Sequence, residues 1–385
     1  MVNPLDPATR MVRAGLESDP ITGAVVPPIH LSSTFAFSSF GQKGKYDYSR
    51  SANPTRDLLA EAIADIEEGF GAVITSSGMS AIALVGQLVP RGGRIIVPHD
   101  CYGGTFRLFT AWHQRGDFRV EFIEFGSAAS MALAFASAAD LVLIETPSNP
   151  LLRVTDIKAV SAAAHKIGAR VMVDNTFLSP LFQQPLTLGA DFVVHSTTKY
   201  LNGHSDVVGG VVVALKSEDA QQLMWWANSL GLTGAPFDSF LILRGLRTLK
   251  LRMLAHENNA NSLACWLVSQ KAVQKVFYPG LITHPQHELA KRQQKGFGGM
   301  ISLELRGGTP AVQQFVSALK LFSLAESLGG VESLVAHPAT MTHVAMSPEA
   351  RATAGLTDGL LRLSVGIEEL EDLKTDLTVG FEAII

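Results

Sequence analysis

The sequence predicts an α/β protein with a mostly parallel central sheet and a smaller α+β C-terminal domain. Three observations carry that expectation. First, Leu141-Val142-Leu143-Ile144, Val171-Met172-Val173 and Phe192-Val193-Val194 are short, nearly continuous apolar runs. That pattern suits strands buried on both faces, as in a parallel sheet. Second, such runs alternate with stretches of helical character, the signature of βαβ units. Third, Asp174 ends one of these runs and Lys199 lies just after the next. Open α/β sheets bind ligands at the carboxyl ends of their strands.

Along the chain, residues 1–55 read as an N-terminal arm, with Pro27-Pro28, a Ser32-Ser33-Thr34 run and little helical periodicity. An arm of that length is hard to bury within its own subunit, so it is expected to contact a neighbour. Residues 56–254 form the large domain. Strands are expected at 72–75, 94–97, 120–125, 140–145, 170–174, 191–195 and 207–215, with helices at 79–88, 106–114, 131–138 and 157–167. Residues 255–385 form the small C-terminal domain. Long helical patterns at 241–270 lead into it. A strand at 299–305 precedes a helix at 309–321, and a strand at 360–365 precedes an amphipathic C-terminal helix.

Composition excludes several function classes. Thirty-one Lys and Arg against 35 Asp and Glu leave a net charge of −4, which argues against nucleic acid as a partner. No run approaches the roughly 20 apolar residues of a membrane span, and no basic-then-apolar segment opens the chain, so neither membrane nor signal peptide is expected. Two cysteines, Cys101 and Cys265, suit a reduced cytoplasmic compartment. The eleven histidines include no HExxH or paired CxxC spacing, so no metal site is expected.

The chemistry concentrates in Ser196-Thr197-Thr198-Lys199 and Val173-Asp174. A lone Lys is ordinarily a solvated charge and an Asp at a strand end a turn residue. Here both follow buried strands of one sheet. A Lys amine can form a Schiff base with the aldehyde of pyridoxal 5′-phosphate (PLP). An Asp can keep the pyridine nitrogen protonated, so the ring acts as an electron sink. Hydroxyls of Ser196 and Thr198 flank the Lys and can reach the phosphate. Ser77-Gly78-Met79 ends a strand and opens a helix, where free amides suit the same phosphate. Tyr102, at another strand-to-helix junction, can stack on a pyridine ring. Tyr48 and Arg50 in the arm also suit a phosphate. Arg362 lies inside the apolar run Leu360-Leu361-Arg362-Leu363. A charge there needs a partner, either a structural carboxylate or that of a substrate. Glu326 lies in an apolar, glycine-terminated loop as a site acid or a cap.

Together these segments resemble the Cys/Met-metabolism family of PLP enzymes across nearly the whole chain. The markers are Asp47-Tyr48-Ser49-Arg50, Asn53-Pro54-Thr55-Arg56, Ser77-Gly78-Met79, Tyr102-Gly103-Gly104-Thr105, Glu145-Thr146-Pro147-Ser148-Asn149-Pro150, Val173-Asp174-Asn175-Thr176-Phe177 and Ser196 through His204. The resemblance implies the aspartate aminotransferase-like PLP-dependent transferase fold. It implies that Lys199 holds the cofactor and shuttles protons, Asp174 pairs with the ring nitrogen and Tyr102 stacks on the ring. Gly78, Met79, Ser196 and Thr198 would bind phosphate, joined by Tyr48 and Arg50 of a neighbouring subunit. Arg362, with Asn149 and Ser327, would orient the α-carboxylate of a small amino-acid substrate. The implied assembly is a homotetramer built as a dimer of dimers. Within the family the chain looks most like the bacterial γ-synthase branch, which joins cysteine to an O-acylhomoserine, commonly the succinyl ester. Glu326 stands where enzymes acting at the γ-carbon tend to carry an acid. Asp47 and Arg107 are candidates for the distal end of the substrate. A cystathionine γ-lyase or a sulfide-using sulfhydrylase are the alternatives.

Overall fold

The computed structural model describes residues 5–16, 19–344 and 346–384. The apolar runs pair as their patterning requires. β1 (Gly71–Thr75), β2 (Arg94–Pro98), β3 (Arg119–Ile123), β4 (Leu141–Glu145), β5 (Arg170–Asp174), β6 (Phe192–Ser196) and β7 (Gly210–Ala214) form one sheet, in the order β1-β7-β6-β5-β4-β2-β3. The five strands from β6 to β3 run parallel. β7 is antiparallel to both its neighbours. The segment between β6 and β7, 197–209, contains no helix, and without a crossover the chain can only turn back. The strand expected from 207 starts at Gly210 instead. The Gly209 amide is taken up by the Thr198 hydroxyl at 3.0 Å, which ties it to the Lys199 loop.

Helices cover both faces of this sheet. Alternate residues of each strand supply two cores. Val142, Ile144, Val171 and Val173 pack with Leu59 and Ile63 on one side. Leu141, Leu143 and Met172 pack with Ile82, Val85 and Phe109 on the other. Each fully buried aliphatic contributes about 1.5–3 kcal/mol, so a one-residue slip of any strand would be prohibitive.

The first turns of the chain are helical (Pro7–Arg13), capped by Asp6, which accepts from the Ala8 amide at 2.8 Å. Met11 is buried in the core beside Leu59 and Ile63. This part of the arm therefore folds onto its own chain. A helix of seven residues with one buried side chain leaves no period to read in the sequence. Beyond it the segment 19–52 is irregular and exposes Ile21, Val25, Phe37 and Phe40.

A second sheet contains β8 (Val273–Phe277), β9 (Met300–Leu305), β10 (Ser323–Leu324), β11 (Leu334–Ala336) and β12 (Leu360–Ser364), ordered β10-β11-β12-β9-β8. It is antiparallel apart from the β10–β11 pair. The two strands expected here, at 299–305 and 360–365, are its central neighbours β9 and β12. The expected helical pattern at 241–270 divides into helices Pro236–Leu246 and Leu249–Leu267. Arg362 sits mid-strand between Ala336 and Ser302, with β11 and β9 on either side. Among the described residues, no helix is long and apolar enough to cross a membrane.

Candidate active site

A cavity of about 400 Å³ opens at the carboxyl ends of β4, β5 and β6, where the loop 326–328 and β12 close over them. Lys199, Asp174, Tyr102, Arg362, Asn149, Glu326 and Ser327 all line it, with Gly78, Met79, Ser196 and Thr198 at one end. These residues are scattered over most of the chain. The sheet order brings them together.

Lys199 is fixed by turn bonds, its amide donating to the Ser196 carbonyl at 3.2 Å and its carbonyl accepting from Gly203 at 2.8 Å. Its Nζ donates to Ser327 Oγ at 2.9 Å. Burial lowers the amine to about 8, the nearby Arg362 guanidinium adds to that effect, and Glu326 opposes it. Such an amine is available uncharged near neutral pH, as a nucleophile or base must be. Ser327 holds φ at +124°, a strained value for a side chain with a Cβ. Its two ends explain the cost: the hydroxyl takes Lys199 and the carbonyl accepts from Arg362 Nη2 at 2.8 Å.

Arg362 is 2% exposed. Its other contact is Nη1 to Asn149 Oδ1 at 2.9 Å. Both acceptors are neutral, Nε has no partner among the described residues, and no carboxylate lies within ion-pair distance among them. A structural salt bridge is therefore not what holds this charge. Burial lowers the guanidinium to about 10. A buried cation facing a cavity without a counter-charge is suited to an incoming carboxylate.

Asp174 presents the converse. Burial raises its carboxyl, and its hydrogen bonds come from Thr176, whose amide donates at 3.0 Å. No Lys or Arg among the described residues pairs with it. A protonated ring nitrogen would supply such a cation. At the other end, the Ser77 hydroxyl caps the helix Gly78–Gly86 by accepting from the Ser80 amide. The first turn of that helix points free N–H groups outward. A Cβ at Gly78 would lie 2.8 Å from the Ser196 Cβ, so only glycine lets the helix start close on the Ser196–Thr198 hydroxyls. An anion cradle, a buried carboxylate and an amine of lowered pKa fit PLP from phosphate to ring nitrogen to aldehyde.

Glu145 lines the same cavity and was not singled out from the sequence. Burial and the neighbouring Asp174 raise its carboxyl well above the usual range. It accepts from the Tyr102 amide at 2.8 Å and the Asn149 amide at 2.9 Å, fixing both. Its register partner across β4–β5 is Asp174, the signal that a strand alignment of the sequence would have exposed. His343 was likewise not singled out; it lies outside the cavity lining, with its Nε2 3.0 Å from the carbonyl of Asn149, which does line it. Four expected residues lie outside the cavity. Arg50 Nε donates to Asn228 at 3.1 Å, and Tyr48 is half exposed beneath its guanidinium. Asp47 pairs loosely with Lys43 at 3.4 Å. Arg107 is exposed on the helix Gly103–Gln114. Among the described residues there is no cluster suited to a metal ion.

The fold and this site define a PLP-dependent enzyme. Residues 8–382 match the family of Cys/Met metabolism PLP-dependent enzymes, and the chain belongs to it. It is 54% identical to cystathionine gamma-synthase of Escherichia coli over 98% of both chains. It is 48% identical to cystathionine beta-lyase of Lactococcus lactis, over 97% of this chain and 98% of the relative. The crystal structure of cystathionine gamma synthase from Xanthomonas oryzae in complex with aminoacrylate and cysteine superposes with a TM-score of 0.98, at 59% identity over 99% of each chain.

Proposed function

We propose that this protein joins L-cysteine to an O-acyl-L-homoserine, with the O-succinyl ester as donor, to give L-cystathionine on a route to methionine. The observation that carries the reading is Arg362: a buried cation without a carboxylate partner, sharing Ser327 with the Lys199 amine. That arrangement suits an α-amino acid whose carboxylate meets Arg362 while its α-carbon faces Lys199. The likeness to enzymes named cystathionine gamma-synthase supports the choice within the family.

Bound PLP supplies an electron sink for negative charge at the substrate carbons. The chain supplies the rest. Arg362 and Asn149 fix the α-carboxylate, and Tyr102 covers the ring. Lys199, uncharged above about pH 8, takes the proton from the α-carbon and then one from the β-carbon. The acyloxy group leaves the γ-carbon as a carboxylate, the cysteine sulfur takes its place as a thiolate, and Lys199 returns the protons to the β- and α-carbons. Glu326, exposed at the cavity mouth, faces the γ-carbon end. Asp47 and Arg107 remain the candidates for the succinyl end.

The exposed apolar segment 19–52 supports an assembly in which the arm lies on a neighbouring subunit. Tyr48 and Arg50 would then complete the neighbour's phosphate site, within a homotetramer of the chain in the cytoplasm.

Incubating the purified protein with O-succinylhomoserine, with and without cysteine, tests the reaction. Cysteine-dependent cystathionine formation at the expense of 2-oxobutyrate is expected. If that donor is not turned over and cystathionine is cleaved, a lyase reading takes its place: 2-oxobutyrate marks cleavage at the γ-carbon and pyruvate at the β-carbon.

A further inference from the structure

Behind the cavity floor lies a buried ion pair that the reaction as described does not use. Glu67, at the end of the helix Pro54–Ile66, and His195, in β6, are 0% and 1% exposed. Their Oε1 and Nε2 atoms are 2.5 Å apart. The same Oε1 accepts from Asn175 Nδ2 at 3.1 Å. Asn175 is further fixed by the Gln183 carbonyl at 2.8 Å and the Gln183 amide at 3.0 Å.

The placement of these groups is specific. Asn175 directly follows Asp174, and His195 directly precedes Ser196. One carboxylate therefore ties the end of the strand that faces the ring nitrogen to the end of the strand that faces the phosphate. Because Oε1 can only accept, Nε2 carries the proton. His195 lines the cavity while Glu67 does not. The pair thus places its imidazole on the side of Asp174, whose carboxyl His195 draws downward against the effect of burial. Burying both members of an ion pair is costly and is not a general route to stability. His195 Nδ1 and Glu67 Oε2 have no partner among the described residues, which adds to that cost. A gain outside the fold's own stability would offset it.

We propose that Glu67 and His195 are positioning residues that act through Asp174, holding its carboxylate charged and aligned for the ring nitrogen of the cofactor. The proposal rests on the assignment of Asp174 to that nitrogen.

Glu67→Gln keeps the shape and an acceptor for His195 but removes the charge. PLP affinity of the apo protein and the absorbance spectrum of the holo protein would be measured for wild type, Glu67→Gln, Asp174→Asn and the double variant. Glu67→Gln is expected to weaken PLP binding about tenfold, the equivalent of one pKa unit, and to alter the chromophore. In the Asp174→Asn background the same change should have no further effect. Equal losses in both backgrounds would mean that the pair serves the scaffold alone, and would overturn the proposal. So would a Glu67→Gln protein that binds PLP as wild type does while Asp174→Asn does not. An Asp174→Asn protein with wild-type affinity and spectrum would instead remove the assignment on which the proposal stands. If Glu67→Gln does not fold, His195→Gln is read in the same cycle with the same criteria.

Discussion

Lys199 and Arg50 are both basic residues in polar loops, yet the structure gives them opposite surroundings. Lys199 lies under the loop 326–328, and burial brings its amine to about 8. Arg50 lies on the surface with Asn228 as its hydrogen-bond partner and a tyrosine ring against it. The difference shows what one chain can build alone. The cavity floor is complete within the subunit because strands of one sheet carry it. Tyr48 and Arg50 of the arm lie outside that cavity, and their side chains touch surface groups of their own chain. A site that draws on both, as proposed, would need a second copy.

The sharpest way to break that comparison is to separate the two halves. Lys199→Ala is expected to lower turnover by roughly 10⁴-fold, at the upper end for a positioned proton-transfer group. Arg50→Ala should chiefly weaken PLP binding. If sites are shared, mixing and reassociating the two variant proteins at PLP levels that do not saturate Arg50→Ala restores about a quarter of wild-type activity. In a hybrid pair one of the two sites is wholly wild type, and half of the pairs are hybrids. If the mixture shows no recovery although exchange is demonstrated, Arg50 serves its own subunit and the contrast with Lys199 fails.

A smaller effect sharpens the floor itself. Arg362→Leu leaves the Asn149 side chain and the Ser327 carbonyl without a donor and removes the counter-charge for the substrate. A loss of roughly 10²–10³-fold in kcat/KM is expected, in the range for truncating one partner of a buried charged contact. The loss should fall largely on KM. A change below about threefold would show that the carboxylate binds elsewhere.

The sequence made the floor legible and left its supports obscure, for a physical reason. Arg362 interrupts an apolar run, Asp174 ends one and Lys199 lies just beyond another, so their placement could be inferred from their neighbours. Strands β4, β5 and β6 were visible for the same reason. β8 and β10 were not: Gln274 and Lys275 of β8 are exposed, and β10 has two residues. Glu145, Glu67 and His195 are polar residues whose partners lie elsewhere in the chain, Glu67 and His195 being separated by 128 positions. No local pattern reports such a pair. The antiparallel direction of β7 was equally silent, since a buried strand has the same continuous apolar pattern whichever way it runs.

The smallest expected effect concerns Glu326, which stands between the two regions: part of the cavity lining, yet exposed. Its carboxylate raises the Lys199 amine, whereas burial and Arg362 lower it. PLP uptake by the apo protein requires the uncharged amine, so its rate should rise with pH and level off above about 8. Removing the negative charge with Glu326→Gln takes away a stabiliser of the ammonium form and must move that midpoint to lower pH. The solvent around Glu326 screens its charge, so the shift should be about half a unit or less. Arg362→Leu must move the midpoint the other way. Stopped-flow absorbance of PLP uptake across pH 6–10 would read both directions, and a midpoint that rises in Glu326→Gln would show that the acid does not act on Lys199 through its charge.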